Sequence, residues 1–262
     1  MALLEIAEAD LLAWITGLLW PFVRIGALLV AAPLFGARTV SVRIRVALAL
    51  LLAVVVFPLV PVPTDVDPLS LNGATLVLRE VLIGVVMGFV LQMVFSAMAM
   101  AGELVALSMG LAFASMVDPD RGGSVPLVGQ YFVIISTLLF LAMDGHLALL
   151  MLLMESFRLL PPATGGLAGA GFAELVGWGT EMFRAAVFVA LPASASLLVA
   201  NVSMGMIARS APQLNIFAVG FPMTLMLGIV VLMLSLPALG GQFAEILTAG
   251  LGHGLSVLGA AR

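Results

Sequence analysis

The sequence contains no cysteine and no lysine, and charged side chains make up only 9% of its 262 residues. Without cysteine there is neither a disulfide framework nor a thiolate site, and nothing marks a redox compartment. Without lysine there is no GxxxxGK[ST] phosphate loop. The ten basic residues are all arginine and stand against fourteen acidic ones, so no basic footprint for nucleic acid exists. The two histidines, His146 and His253, have no histidine or cysteine at ligand spacing, so no local metal site can be built. No cofactor is expected.

What remains is apolar: 63% of the residues are hydrophobic and the mean hydropathy is +1.26. A chain of this length and composition is a polytopic integral membrane protein. Its N-terminus, MALLEIAEAD, carries Glu5, Glu8 and Asp10 where a secretory signal needs positive charge, so the first span is expected to be retained.

Six spans are expected, at about Leu11–Phe35, Ile44–Leu59, Leu76–Ala101, Pro126–Met154, Glu174–Val199 and Leu214–Leu239. Pro21 and Arg24 interrupt the first, and Asp144, Gly145 and His146 interrupt the fourth. Arg38, Arg43 and Arg45 form the densest positive cluster, which places that turn in the cytoplasm and both chain ends outside. GGLAGAG reads as a flexible outer loop, Asn201 to Gln213 as a cytoplasmic turn, and residues 241–262 as a small-residue tail. Gly84 and Gly88 form a GxxxG pair, the spacing that lets helix backbones approach closely in lipid.

One stretch does not fit this series of spans. Gly102 to Pro126, GELVALSMGLAFASMVDPDRGGSVP, has an apolar run shorter than the roughly 20 residues a bilayer requires and is too apolar for a solvated loop. Such a segment persists at membrane depth only when buried in protein or lining a cavity. Met109 and Met116, with Met87, Met93, Met98 and Met100 before them, supply flexible, polarizable side chains that can close a hole without a fixed shape. The fold expected is therefore all-α, about six long, kinked apolar helices in hairpins with a short central re-entrant or plug segment.

Four polar residues stand isolated in or beside apolar runs: Arg24, Glu103, Asp118 and His146. Arg24, near the middle of the first span, would cost about 2.5–3.5 kcal/mol unpaired, so it is read as a buried charge with a partner. Glu103 and Asp118 flank the central segment. An ion relay is the sharper reading of them, and a helix-end cap or a bridge to Arg121 the plainer and preferred one. His146 is read as a structural hydrogen-bonding residue, because neither Ser124 nor Ser136 lies in a nucleophile motif that would make an intramembrane protease. No enzymatic activity is expected.

Several stretches together resemble a known family. WPFVRIGALLVAAPLFG, GELVALSMGLAFASMVDP, VPLVGQYFVIISTLLFLAMDGHLALL and RSAPQLNIFAVGFPMTLMLGIVVL are similar, in order, to the FliR family of flagellar biosynthetic proteins. The resemblance implies a subunit of the type III export gate at the base of the flagellum, in the inner membrane. One copy would join several copies of FliP and FliQ, beside FlhB and FlhA, in a channel for unfolded export substrates. Residues 1–172 would be the FliP-like part with a plug at 106–122, 173–240 a FliQ-like hairpin, and 241–262 a C-terminal tail. Carried over residue by residue, Met109, Gly110, Phe113 and Met116 would occlude the channel and Asp118 and Pro119 would set its turn. Arg209, Pro212, Gln213 and Asn215 would lie where the hairpin meets FlhB. The competing reading is a secondary transporter with a broken-helix substrate site, which predicts internal hydropathy symmetry and charges converging at mid-membrane.

Overall fold

The structure is a computed structural model, and it describes residues 8–37, 39–61, 63, 66–111, 127–162, 169–210 and 216–260. The described residues form α1 (Glu8–Ala31), α2 (Val42–Val56), a 3-10 turn (Phe57–Leu59), α3 (Leu71–Ser108), α4 (Leu127–Ala142), α5 (Gly145–Leu159), α6 (Gly169–Ser210) and α7 (Ile216–Ala260). No strand occurs among them, and the all-α membrane fold expected from the composition holds. Among the described residues five helices are long and apolar enough to cross a membrane, and α4 with α5, which meet at a 71° bend, count as a sixth only if the bent pair is a single span. Asp144 has a left-handed backbone, φ 55°, which ends the run of α4 and lets α5 start at Gly145.

Local capping explains where the described helices begin. Ser41 accepts a hydrogen bond from the Ile44 N–H at the start of α2, and Ser70 accepts one from the Gly73 N–H at the start of α3. Each satisfies one of the donors that a helix N-terminus leaves open. The turn before α2 is closed by Arg45, whose Nη2 donates to the carbonyls of Ala37 and Val40, both at 3.0 Å.

Several expected boundaries differ. Pro21 does not interrupt α1, and Pro192, Pro222 and Pro237 likewise lie inside α6 and α7. The third span does not stop at Ala101, because α3 continues through Gly102 and Glu103 to Ser108. α6 starts within GGLAGAG and takes in Asn201 to Ser210, where a turn was expected. α7 runs past Leu239 to Ala260, absorbing most of the expected tail. The common cause is that in an apolar medium a helix keeps its backbone hydrogen bonds within itself, and this outweighs the local preference of glycine, proline and asparagine for turns. At 1.5 Å per residue, α3, α6 and α7 are about 57, 63 and 67 Å long, against roughly 30 Å of hydrocarbon.

The chain packs as two compact units. The first takes in α1, α2, α3 up to Met93, α5, α6 up to Gly179 and α7 from Thr248. Its core includes the fully buried Trp20, Ile25, Ile83 and Met87. The second takes in the rest of α3, α4 and the remaining stretches of α6 and α7, around Phe95, whose ring meets Phe140 and Phe243 edge-on at 5.7 and 5.8 Å.

Within the first unit, α1 and α3 run in the same direction along one stripe. A Cβ on Gly84 would overlap the Arg24 carbonyl oxygen and come within 2.8 Å of the Ala27 methyl, and one on Gly88 would lie 2.5 Å from the Ala31 methyl. The GxxxG pair thus admits α1. Gly84→Ala is expected to destabilise the chain by about 1–3 kcal/mol through overpacking. Gly26→Ala, where nothing lies within 4 Å, should not destabilise it and should gain up to about 1 kcal/mol of helix propensity. Thermal unfolding of the two variants in detergent compares them directly.

Candidate functional site

α3 ends inside the second unit, and its C-terminus is capped. Gly110 takes φ 81° and donates its N–H to Leu107 O at 3.0 Å, while Leu111 N–H reaches Ala106 O at 3.1 Å. This pairing is a Schellman motif, in which a left-handed glycine reverses the chain and satisfies two terminal carbonyls. The next two carbonyls face other helices. Asn201 Nδ2 on α6 donates to Ser108 O at 3.1 Å, while Thr224 Oγ1 on α7 donates its one proton to Phe221 O at 3.0 Å and lies 3.4 Å from Met109 O. Met109 itself is 3% exposed, and its Cγ, Sδ and Cε fill the space where Gly228 of α7 has no side chain.

α4 returns beside this helix end. A Cβ on Gly102 would lie 2.7 Å from the Gly129 Cα, so Gly102 is a point of close approach between α3 and α4 and not a helix break. Half-buried Glu103 places Oε1 over Gly129 in the first turn of α4, where the helix dipole favours a carboxylate. The chain therefore leaves α3 at Gly110 and re-enters α4 at Leu127 between helices that touch. Phe113, Met116, Asp118 and Pro119, like Arg121 and Ser124, lie outside the described residues.

The other residues singled out from the sequence are dispersed. Arg209 is exposed in the last turn of α6, where a cation suits the helix C-terminus; Pro212, Gln213 and Asn215 lie outside the described residues. His146 is half-buried near the start of α5, and its Nδ1 is buried without a hydrogen-bond partner. Ser136 Oγ on α4 is buried and also without a partner. Among the described residues no group of three or more histidine, cysteine or acidic side chains could hold a metal ion.

Arg24 sits at the centre of a closed polar node in the first unit and is fully buried. Its Nε and Nη2 donate to the two carboxylate oxygens of Glu80 at 2.7 and 3.0 Å. Nη1 donates to Ser156 O at 2.9 Å and Ser156 Oγ at 3.2 Å, and Nη2 also reaches Leu160 O at 2.8 Å. These bonds account for all five guanidinium N–H groups. The Phe157 ring lies 4.2 Å from the guanidinium carbon, in cation–π range. One side chain therefore ties α1 to α3 by an ion pair and caps the last carbonyls of α5. Sequence reasoning had not assigned Glu80 a role. The available signal was its position: Glu80 precedes Gly84 and Gly88 by four and eight residues, on the stripe that meets α1.

A second contact in that unit also escaped notice. Trp178 stacks on His253 with ring centroids 4.7 Å apart, and His253 Nε2 lies 3.1 Å from Glu174 O, so this nitrogen carries the proton and donates. The start of α6 is thereby tied to the end of α7.

Comparison with known proteins covers nearly the whole chain. The sequence profile of bacterial export proteins, family 1, matches residues 15–250. The flagellar biosynthetic protein FliR of Pectobacterium carotovorum subsp. carotovorum is 41% identical over 237 residues, 90% of each chain. FliR of Escherichia coli strain K12 is 35% identical over 243 residues, covering 93% of this chain and 92% of that protein. FliR of Bacillus subtilis strain 168 is 30% identical over 214 residues, 80% of this chain and 82% of its own. With a profile match from the first span into the last third of α7 and relatives that align along most of their length, the chain belongs to the FliR family of bacterial export proteins.

Proposed function

We propose that the chain is a subunit of the flagellar type III protein export gate, set in the bacterial inner membrane at the flagellar basal body. One copy joins several copies of FliP and FliQ in a channel for unfolded flagellar substrates, with FlhB and FlhA alongside. The observation that carries this reading is the match to FliR proteins over nine-tenths of the chain. The segment Met109–Gly122 closes the passage at rest. Phe113 and Met116 act with Met109 as a deformable apolar seal, Asp118 and Pro119 set the turn, and Arg209, Pro212, Gln213 and Asn215 meet FlhB.

Two features of the structure support this assignment. The closing segment departs from a helix end held in the interior of a unit, so its root has a fixed position. Long helices with exposed apolar residues, such as Met226, Met233 and Leu234 on α7 at 67%, 66% and 76%, offer surface for further helices. Lipid can cover only part of helices about twice as long as its hydrocarbon core is thick.

Expression with and without FliP and FliQ tests the proposal. The chain is expected to accumulate and co-purify as one detergent-stable complex only when both are present. A chain that is stable alone and binds a small solute would instead support the transporter reading.

A further inference from the structure

We propose that α2 carries a binding site for an anionic phospholipid of the cytoplasmic leaflet. Arg43 meets the headgroup phosphate, and the stripe Val46, Leu50 and Val54 lies along one acyl chain. The site goes beyond the export-gate reading and does not depend on it.

The register of α2 carries the inference. At about 3.6 residues per turn, Arg43, Val46, Leu50 and Val54 fall on one face, and all four are exposed. Ala49, Ala53 and Val56 form the buried side. Arg45 falls toward that side; it is half-buried, and its Nη2 is committed to the Ala37 and Val40 carbonyls. One arginine therefore holds the turn, while the other stands at the head of an apolar stripe. From Arg43 to Val54 the helix rises about 16 Å, and the hydrocarbon of one leaflet is about 15 Å deep.

The charge points to an anion from outside the chain. Arg24 pairs with Glu80, Arg158 with Glu155 and Arg184 with Glu181. Among the described residues Arg43 has no ion pair, and the sequence holds no acidic residue between Asp10 and Asp65. The arginine excess of this turn places it on the cytoplasmic side, where the leaflet presents anionic headgroups. A guanidinium fork matches phosphate oxygens with two parallel bonds. The dimensions favour lipid over a partner helix as the cover of this face. Val42–Leu59 is 18 residues long and only 17% of it is buried. Its length of about 27 Å fits a hydrocarbon core of roughly 30 Å, whereas α6 and α7 overrun that core. Lipid can therefore cover α2 from end to end.

The test uses the chain purified with the subunits it assembles with, stripped of lipid in detergent. Phosphatidylglycerol is titrated in, and bound lipid is counted by native mass spectrometry. Arg43→Gln is expected to weaken one phosphatidylglycerol site about fivefold, while phosphatidylcholine binding stays the same in both proteins. Arg43→Lys, which keeps the charge, should retain most of the affinity. Added salt should weaken the wild-type site and leave that of Arg43→Gln nearly unchanged. Arg158→Gln, where Glu155 already meets the charge, should bind as wild type does.

Equal phosphatidylglycerol binding by wild type and Arg43→Gln overturns the headgroup contact. Glycerol phosphate, which has the phosphate without the acyl chains, should not displace the lipid; displacement at matched concentration overturns the acyl stripe. A photoreactive side chain in place of Leu50 is expected to label lipid in the assembled complex. A crosslink from that position to another subunit overturns the lipid site and makes the face a protein contact. If the chain proves stable alone, the export-gate reading fails, and the same titration on the chain by itself still decides the role of Arg43.

Discussion

Arg24→Ala is expected to cost about 3–5 kcal/mol of stability, because it leaves the Glu80 carboxylate buried without its counter-charge. Leu160 O would also lose its donor, whereas Ser156 O keeps the Leu160 N–H, and an unsatisfied buried acceptor adds about 1–3 kcal/mol. The double variant Arg24→Met, Glu80→Leu separates the two contributions. It removes the ion pair as a whole, which is often close to neutral when apolar side chains fill the volume. It does not restore the partner of Leu160 O, since neither new side chain can donate. The double variant should therefore recover most, but not all, of the loss. Thermal unfolding of purified complexes in detergent would rank them as wild type, double variant, then Arg24→Ala. A double variant no better than the single one would show that the guanidinium's caps on α5, and not its pairing with Glu80, dominate the node.

Replacing Met109–Gly122 with a glycine-serine linker of equal length is expected to make resting membranes permeable to ions while the complex still assembles. The replacement removes the side chains proposed as the seal, together with the Schellman cap that ends α3. It leaves the Phe95–Phe140–Phe243 cluster and the Gly102–Gly129 contact intact. Assembly and sealing should therefore come apart in one experiment. Co-purification with FliP and FliQ reports the first, and conductance or dye entry in cells carrying the complex reports the second. A complex that assembles and stays as tight as wild type removes the seal from this segment.

The sequence made the membrane class legible because composition alone decides it, and it made the need of Arg24 for a partner legible because a charge in an apolar span is costly unpaired. Which partner was not legible. Glu80 lies 56 residues away, and its choice depends on two glycines that bring α3 against α1. Gly102 shows the opposite difficulty. A glycine before a carboxylate reads equally well as a break or as a point of close approach, and only the presence of α4 decides between them. Asn201 was misread for a related reason. Its preference for turns is a local property, whereas the bond it makes is to Ser108, 93 residues away. Met109 was singled out for its deformability, but its seat, Gly228, is one glycine among 27 and carries no mark in sequence.

The Arg24 node also has a timetable. The arginine emerges from the ribosome 56 residues ahead of Glu80 and 132 ahead of Ser156. At synthesis rates of about 5–20 residues per second, α1 carries an unpaired charge for roughly 3–11 seconds before its counter-ion is made, and for longer before α5 closes the site. During that interval α1 is poorly suited to settle in lipid by itself. It must either wait beside the insertion machinery or be held by a chaperone until α3 arrives. Errors in the biogenesis of this chain should therefore concentrate at its first span, and shortening the stretch between α1 and α3 would change how fast it inserts as well as how it packs.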